Sequence, residues 1–222
     1  MSYFPKDYLT FLRALGRNNK REWFHANKAR YEQFIKGPFT DFVDEMIHRV
    51  AAIDPRVQID PKDAMFRIFR DIRFSKDKTP YKTFMSAIVS PAGRRERSIP
   101  GIYFQFGIKN VTIAGGMYEP DKDQLYNIRS AIRDRGKQLE TLVKAKTFKS
   151  LLGELAGDKN KVLPKTFKAA QEQFPLIANK QFYYWVEYPA DTVLRDDLAA
   201  FVIKHYRTGK KLGDWLEQAA RG

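Results

Sequence analysis

The chain has 222 residues, of which 43% are hydrophobic and 14% aromatic, so it can fill a core without staples and is not intrinsically disordered. It has no cysteine, which excludes disulfides, thiolate metal sites and cysteine nucleophiles. Its 40 Lys and Arg against 26 Asp and Glu give a net charge of +14. This balance favours polyanionic partners, although many basic proteins bind no nucleic acid.

The N-terminal sequence MSYFPKDYLTFLRALG bears on location. It has no basic start followed by an apolar run, and the chain contains no stretch of about 18 apolar residues. We therefore expect neither a signal peptide nor a membrane partner. The lack of cysteine suits a reducing compartment, so we expect a cytoplasmic location. The sequence leaves the oligomeric state open.

Residues 1–53 predict three helices, because apolar residues recur at helical spacing. The first helix follows Pro5 and ends at Gly16. The third restarts after Gly37-Pro38 and closes at Asp54-Pro55, and its apolar stripe is the most regular in the chain.

The second helix is predicted to begin at Asn19. The Asn19 side chain can cap a helix, and Glu22, three residues later, completes a pattern like a capping box. We therefore expect Asn19 to be an N-cap.

From about residue 64 to 118 the apolar pattern changes to a period of two, which predicts strands. The strands are expected over residues 66–74, 83–90, 102–108 and 111–118, with a hairpin turn at Lys109-Asn110. Gly115-Gly116 interrupts the last of them. Such a pair predicts a bulge or a close backbone approach, and a ligand at that place is the alternative.

The remaining chain is mostly helical. Glu119-Pro120-Asp121 starts a helix, and short helices joined by turns follow between Lys144 and Lys168. Residues 181–189 favour an edge strand that ends at Pro189. Helical spacing then returns. We predict a single α+β domain over residues 1–222, with helices at both ends packed on a mostly antiparallel central sheet.

The segment FRIFRDIRFSKDKTPYK, residues 66–82, combines a strand-like rhythm with a high density of charge. In a regular strand, Arg67, Asp71 and Arg73 share one face. Arg70 then points with the apolar side chains and needs an acidic partner, for which Asp77 is the candidate. The candidate anion-binding residues are Arg67, Arg70, Arg73, Lys76, Lys78, Tyr81 and Lys82.

Three functions fit this segment. The first is an anion-binding module that contacts the phosphates of a nucleic acid or nucleotide, because a guanidinium donates paired hydrogen bonds to such groups. The second is an enzyme acting on a phosphorylated or carboxylated small molecule, with Asp71 or Asp77 as general base. The third is an internal ion-pair network without a ligand.

The same segment resembles a bacterial family, the domain of unknown function 2461 family. The family signature is R-x-x-R-D-x-R-F, followed by an acidic or amide residue, Lys and Tyr. The matching positions are Arg67, Arg70, Asp71, Arg73, Phe74, Asp77, Lys78 and Tyr81. The segments NNKREWFHANKARYE and AGGMYEP are also similar to the family, so the likeness covers nearly the whole chain. The family name records no activity, so the resemblance implies no particular reaction.

Other motifs indicate little further chemistry. Neither G-x-x-x-x-G-K-[ST] nor G-x-G-x-x-G occurs, and we predict no cofactor. His25, His48 and His205 lack metal-ligand spacing, so we predict no metal site. The lysines between residues 144 and 168 are accompanied by Phe148 and Phe167, a pairing seen in single-strand binders, but the apolar residues fit a helix core stripe better.

Overall fold

The computed structural model describes residues 2–222. Within them the α-helices are α1 (Lys6–Arg17), α2 (Arg21–Ala26), α3 (Lys28–Tyr31), α4 (Gly37–Ala51), α5 (Pro61–Ala64), α6 (Lys122–Lys144), α7 (Lys146–Leu152), α8 (Lys165–Gln173) and α9 (Leu198–Arg221). The strands are β1 (Phe84–Val89), β2 (Gly101–Gly107), β3 (Asn110–Met117) and β4 (Phe182–Pro189). Short 3₁₀ turns span Pro175–Ala178 and Ala190–Leu194. The expected α+β class, with an antiparallel sheet and helices at both ends, is confirmed.

The sheet has the order β1-β2-β3-β4, so consecutive strands are neighbours and β4 lies at an edge, as predicted. In β2, Ile102, Phe104 and Phe106 are fully buried, while Tyr103 and Gln105 between them are only partly so. This alternation follows from the opposite orientation of successive side chains in a strand. The hairpin turn consists of Ile108 and Lys109, one position earlier than the predicted Lys109-Asn110.

The chain divides into two compact units. The first contains the chain up to Arg94 together with Tyr103–Ile113 and Glu187–Ile203. Its core is aromatic: Phe42 makes edge contacts with Phe104 and Phe106, at centroid distances of 5.4 and 5.2 Å. Tyr8 lies in the same core, where its hydroxyl donates to the Phe106 carbonyl over 3.0 Å. The N-terminal helices are therefore fixed on the face of β2 that carries these rings.

The second unit contains Arg95–Ile102, Ala114–Val186 and Lys204–Gly222. Asp121 caps α6 in a complete capping box with Gln124, which confirms the predicted helix start. Gly115-Gly116 marks a close approach, as predicted, because a Cβ on Gly115 would lie 2.5 Å from the Tyr184 hydroxyl. That space is filled by β4 rather than by a ligand.

The helices before α4 differ from the prediction. The expected second helix is divided into α2 and α3, and a π-helical turn over Glu32–Lys36 then leads directly into α4. Gly37-Pro38 therefore does not restart the chain, and the Gly37 amide donates to the Glu32 carbonyl. Since a proline ring collides with the carbonyl four residues earlier in a regular helix, the wider π turn accommodates Pro38.

Candidate anion-binding site

Residues 65–70 pair with residues 80–87, and the chain between them forms a loop. Isolated bridges join Met65 to Ala87 and Phe69 to Tyr81, and the Arg70 amide donates to the Pro80 carbonyl over 2.9 Å. The predicted strand over residues 66–74 is therefore wrong: the first strand is β1 at Phe84, and residues 66–70 form an isolated bridge at Phe69 and single backbone hydrogen bonds that end at Arg70. Pro80 has no N–H to donate back, so the ladder ends there. We call residues 71–79 the basic loop.

Arg70, the residue before the basic loop, holds the loop together. Its guanidinium donates to Asp77 and to the Thr79 hydroxyl, and it lies 3.4 Å from the Ser75 hydroxyl. The expected Arg70–Asp77 ion pair is thus present. Only 25% of the Arg70 side chain is exposed, against 58% for Asp77. Arg70 therefore uses its N–H donors to bind side chains of the loop, which is a structural role.

Arg73 and Asp71 form the second ion pair of the loop. Arg73 donates from Nε to Oδ1 over 3.0 Å and from Nη2 to Oδ2 over 2.7 Å. The predicted pair is therefore present, although a loop and not a regular strand brings it together. Arg73 remains 76% exposed. Two of its five N–H donors are engaged by Asp71, which leaves three for a ligand.

The two loop carboxylates are strongly acidic. Hydrogen bonds from the Arg73 side chain and backbone lower the pKa of Asp71 to about 2, and the charges of Arg73 and Arg67 add to the effect. Hydrogen bonds from the Thr79 amide and the Arg70 guanidinium lower the pKa of Asp77 to about 2. Both groups are therefore ionised at neutral pH and are weak proton acceptors.

The other candidate cations divide into two groups. Arg67 and Lys76 are exposed, and within the described residues neither makes a hydrogen bond or an ion pair. Lys78 is also exposed, although its Nζ donates to the Ile72 carbonyl over 2.9 Å. Lys82 is set apart from them, because its Nζ lies 5.6 Å from the centroids of both the Phe66 and the Phe84 rings.

Tyr81 lies in the core beneath the loop. Its ring is 2% exposed and stacks on Phe24 at a centroid distance of 4.1 Å, and burial raises the pKa of its hydroxyl. The Asn19 side chain donates to the Tyr81 carbonyl over 2.9 Å and accepts from the Tyr81 amide over 3.0 Å. The predicted N-cap is therefore wrong, since α2 begins at Arg21 after Lys20, without a side-chain cap.

Sequence reasoning missed Asn19 and Phe24 as supports of the site. The available signal was the N-terminal segment NNKREWF, which shares the family resemblance with the basic segment. It also missed two phenylalanines that reach solvent here, Phe69 with 49% exposure and Phe74 with 96%. The Arg73 guanidinium lies 5.8 Å from the centroid of the Phe74 ring.

The other sites considered from the sequence, a metal site and the lysine-rich stretch, are not formed by the described residues. Among residues 2–222, no group of three or more His, Asp or Glu side chains is placed to hold a metal ion. Phe148 and Phe167 are buried in the core of the second unit, so the lysine-rich stretch carries a core stripe, as expected. In this part of the chain, no helix combines the length and the apolar character needed to cross a bilayer.

The comparisons with known proteins agree with the family resemblance of the chain. A family model described as "Conserved hypothetical protein (DUF2461)" matches residues 7–215. The chain belongs to the DUF2461 family. The matched DUF2461 region includes the whole basic loop and its anchor Asn19. No curated protein and no solved structure matches the chain.

Proposed function

We propose that this DUF2461 chain binds the phosphate groups of a nucleic acid or nucleotide with its basic loop. The proposed contacts are Arg73, Lys76 and Lys78 in the loop, together with Arg67 just before it. The observation that carries the proposal is that the arginines differ in their contacts. Arg70 donates to side chains of the loop, whereas Arg67 and Arg73 are exposed and keep donors for a ligand. An arginine fork suits a phosphate because it can donate two parallel hydrogen bonds.

The charge of the segment supports the same function. Residues 67–78 carry five cationic side chains and two carboxylates, which leaves a net charge of +3. Asp71 neutralises part of Arg73 and also fixes its pose, so less side-chain entropy is lost when an anion docks. Asp77 is turned towards Arg70 and the Thr79 amide. Neither carboxylate removes the positive character of the surface.

A role for Asp71 or Asp77 as general base is less favoured. A base works best when its pKa lies near the working pH, and both carboxyl groups have a pKa of about 2. Each is also committed to an arginine. A purely internal ion-pair network accounts for Arg70 but not for exposed Arg67 and Lys76. Anion binding accounts both for the paired Arg70, which holds the loop, and for the exposed Arg67 and Lys76, which contact the ligand.

The salt dependence of binding tests the proposal. We expect the affinity for a fluorescent oligothymidylate to fall steeply between about 50 and 200 mM NaCl, with a slope of log affinity against log salt concentration of about −0.7 per phosphate contact. The triple variant Arg67→Ala, Arg73→Ala, Lys76→Ala removes exposed side chains and should reduce both the affinity and the slope. ATP is measured in parallel as the mononucleotide probe.

The matched control removes the same charge elsewhere. It replaces by alanine three exposed lysines of the second unit: Lys161, Lys165 and Lys168. We expect it to bind nearly as well as the wild type, because a local site depends on nearby donors more than on net charge. Equal losses in the two triple variants, or a response to salt that stays flat, would contradict the proposed site.

A further inference from the structure

We infer that the anion recognised by the basic loop is single-stranded nucleic acid, with bases stacked on Phe69 and Phe74. The inference rests on the proposed function and names its ligand class. It depends on a feature that phosphate binding alone leaves unexplained: two phenylalanine rings reach solvent on the same segment as the exposed arginines.

Phe74 contributes almost nothing to the core of the protein. With 96% of its surface exposed, it gains almost none of the stabilisation that burial of such a side chain provides. The Arg73 guanidinium lies over one face of the Phe74 ring, 5.8 Å from its centroid, so a base is expected to stack on the opposite face. The Phe74 ring can stack with the base of a nucleotide, and the Arg73 guanidinium can bind its phosphate.

Phe69 lies at the solvent edge of a cluster of three aromatic rings. Phe24 stacks on Tyr81 at 4.1 Å with an interplanar angle of 17°, and Phe69 packs against both at a tilt, 5.3 Å from Tyr81 and 6.2 Å from Phe24. The first two rings are buried, and Phe69 is 49% exposed. A base that stacks on the exposed part of the Phe69 ring would extend this cluster into solvent. Arg67, two positions away in the chain, is also exposed and supplies a guanidinium for the adjoining phosphate.

These rings favour a single strand over a duplex. In a duplex the base faces are already stacked on each other, whereas in a single strand they are free to stack on side chains. The Arg70 network already orders the basic loop, so little conformational entropy is lost on binding. An anionic membrane is the less favoured partner, because Phe69 rests on Tyr81 and only Phe74 projects freely.

The test measures binding of the full chain to four probes: an oligothymidylate, a duplex, ATP, and phosphatidylserine–phosphatidylcholine vesicles. Phe74→Ala should weaken binding to the oligothymidylate about tenfold while leaving the salt slope unchanged, since stacking is lost and phosphate contacts remain. Because Phe74 is almost completely exposed, its replacement should leave the fold intact, so such a loss would report on binding. Phe74→Leu should show most of the same loss, because leucine keeps the apolar surface but cannot stack.

Tyr126→Ala is the aromatic control, since Tyr126 is 55% exposed in the second unit, and it should bind like the wild type. Wild-type affinity in Phe74→Ala, or duplex binding as tight as single-strand binding, would overturn the inference. Vesicle binding that is lost in Phe74→Ala and kept in Phe74→Leu would overturn it in favour of a membrane. The proposed function fails separately, when the charge variant Arg67→Ala, Arg73→Ala, Lys76→Ala leaves binding to every anionic probe unchanged.

Discussion

Asn19 and Tyr81, 62 positions apart in the chain, are joined by two hydrogen bonds between the Asn19 amide and the Tyr81 backbone. The Asn19 side chain therefore makes the two hydrogen bonds that a neighbouring strand would make with Tyr81. It satisfies both backbone groups of Tyr81 at the point where the basic loop ends. The loop is thus anchored by a long-range contact as well as by the local Arg70 network.

Asn19→Ala should lower the free energy of unfolding by about 1 to 3 kcal/mol, because it leaves two partly buried backbone groups of Tyr81 without partners. Urea denaturation measures this change. Asn18→Ala is the matched control, since exposed Asn18 donates only to a carbonyl of its own helix, and it should cost less than about 0.5 kcal/mol. Equal losses in the two variants would show that Asn19 has no special role.

Arg70→Ala should return the pKa of Asp77 from about 2 towards its ordinary value, because the guanidinium bond is lost while the Thr79 amide still donates. The pKa of Asp71 should stay near 2, since Arg73 holds it. Carbon-13 NMR titration of the carboxyl groups measures both. Arg73→Ala should produce the converse pattern. A pKa of Asp77 that is the same in Arg70→Ala and the wild type would contradict the described network.

Acid should loosen the basic loop only at very low pH. The folded-state pKa values of Asp71 and Asp77 are lowered, so their stabilisation is complete above the unfolded value of about 3.9 and is lost as the pH falls towards 2. We therefore expect the Thr79 and Arg73 amide resonances to be constant from pH 5 to 8 and to shift between about pH 4 and 2. A transition centred near pH 6 would contradict the conclusion that Asp71 and Asp77 hold the loop.

Gly116→Ala should destabilise the protein more than Gly153→Ala does. Both glycines have positive φ, +108° and +72°, so a side chain is strained at either position by about 1 to 3 kcal/mol. A Cβ at Gly153 meets nothing within 4 Å, whereas one at Gly116 lies 2.9 Å from the Tyr183 Cα. The clash should add about 1 to 3 kcal/mol. Similar thermal midpoints for the two variants would argue against this close approach.

Features controlled by neighbouring residues could be predicted from the sequence. The helix that became α4, the β2–β3 hairpin and the start of α6 at Asp121 follow from periodicity, turn length and side-chain capping. The Arg70–Asp77 pair could also be predicted, since a guanidinium among apolar side chains needs an acidic partner, and the Arg73–Asp71 pair follows from their separation of two positions in the chain.

Features that depend on distant contacts could not. Asn19 has the local pattern of an N-cap, and only the folded chain brings it to Tyr81. Phe74 continues the alternating pattern of a strand, yet the pairing ends at Arg70 and leaves its ring in solvent. A period of two does not distinguish a strand from a loop whose polar groups are satisfied locally.

The most direct test of the central proposal observes the arginine side chains during binding. Titration of nitrogen-15-labelled wild-type protein with an oligothymidylate, followed through the arginine Nε–Hε signals, should shift Arg67 and Arg73 most and Arg70 least. That result would locate the anion on the exposed face formed by the basic loop and the adjoining Arg67. Saturating binding that leaves Arg67 and Arg73 unchanged would contradict the account.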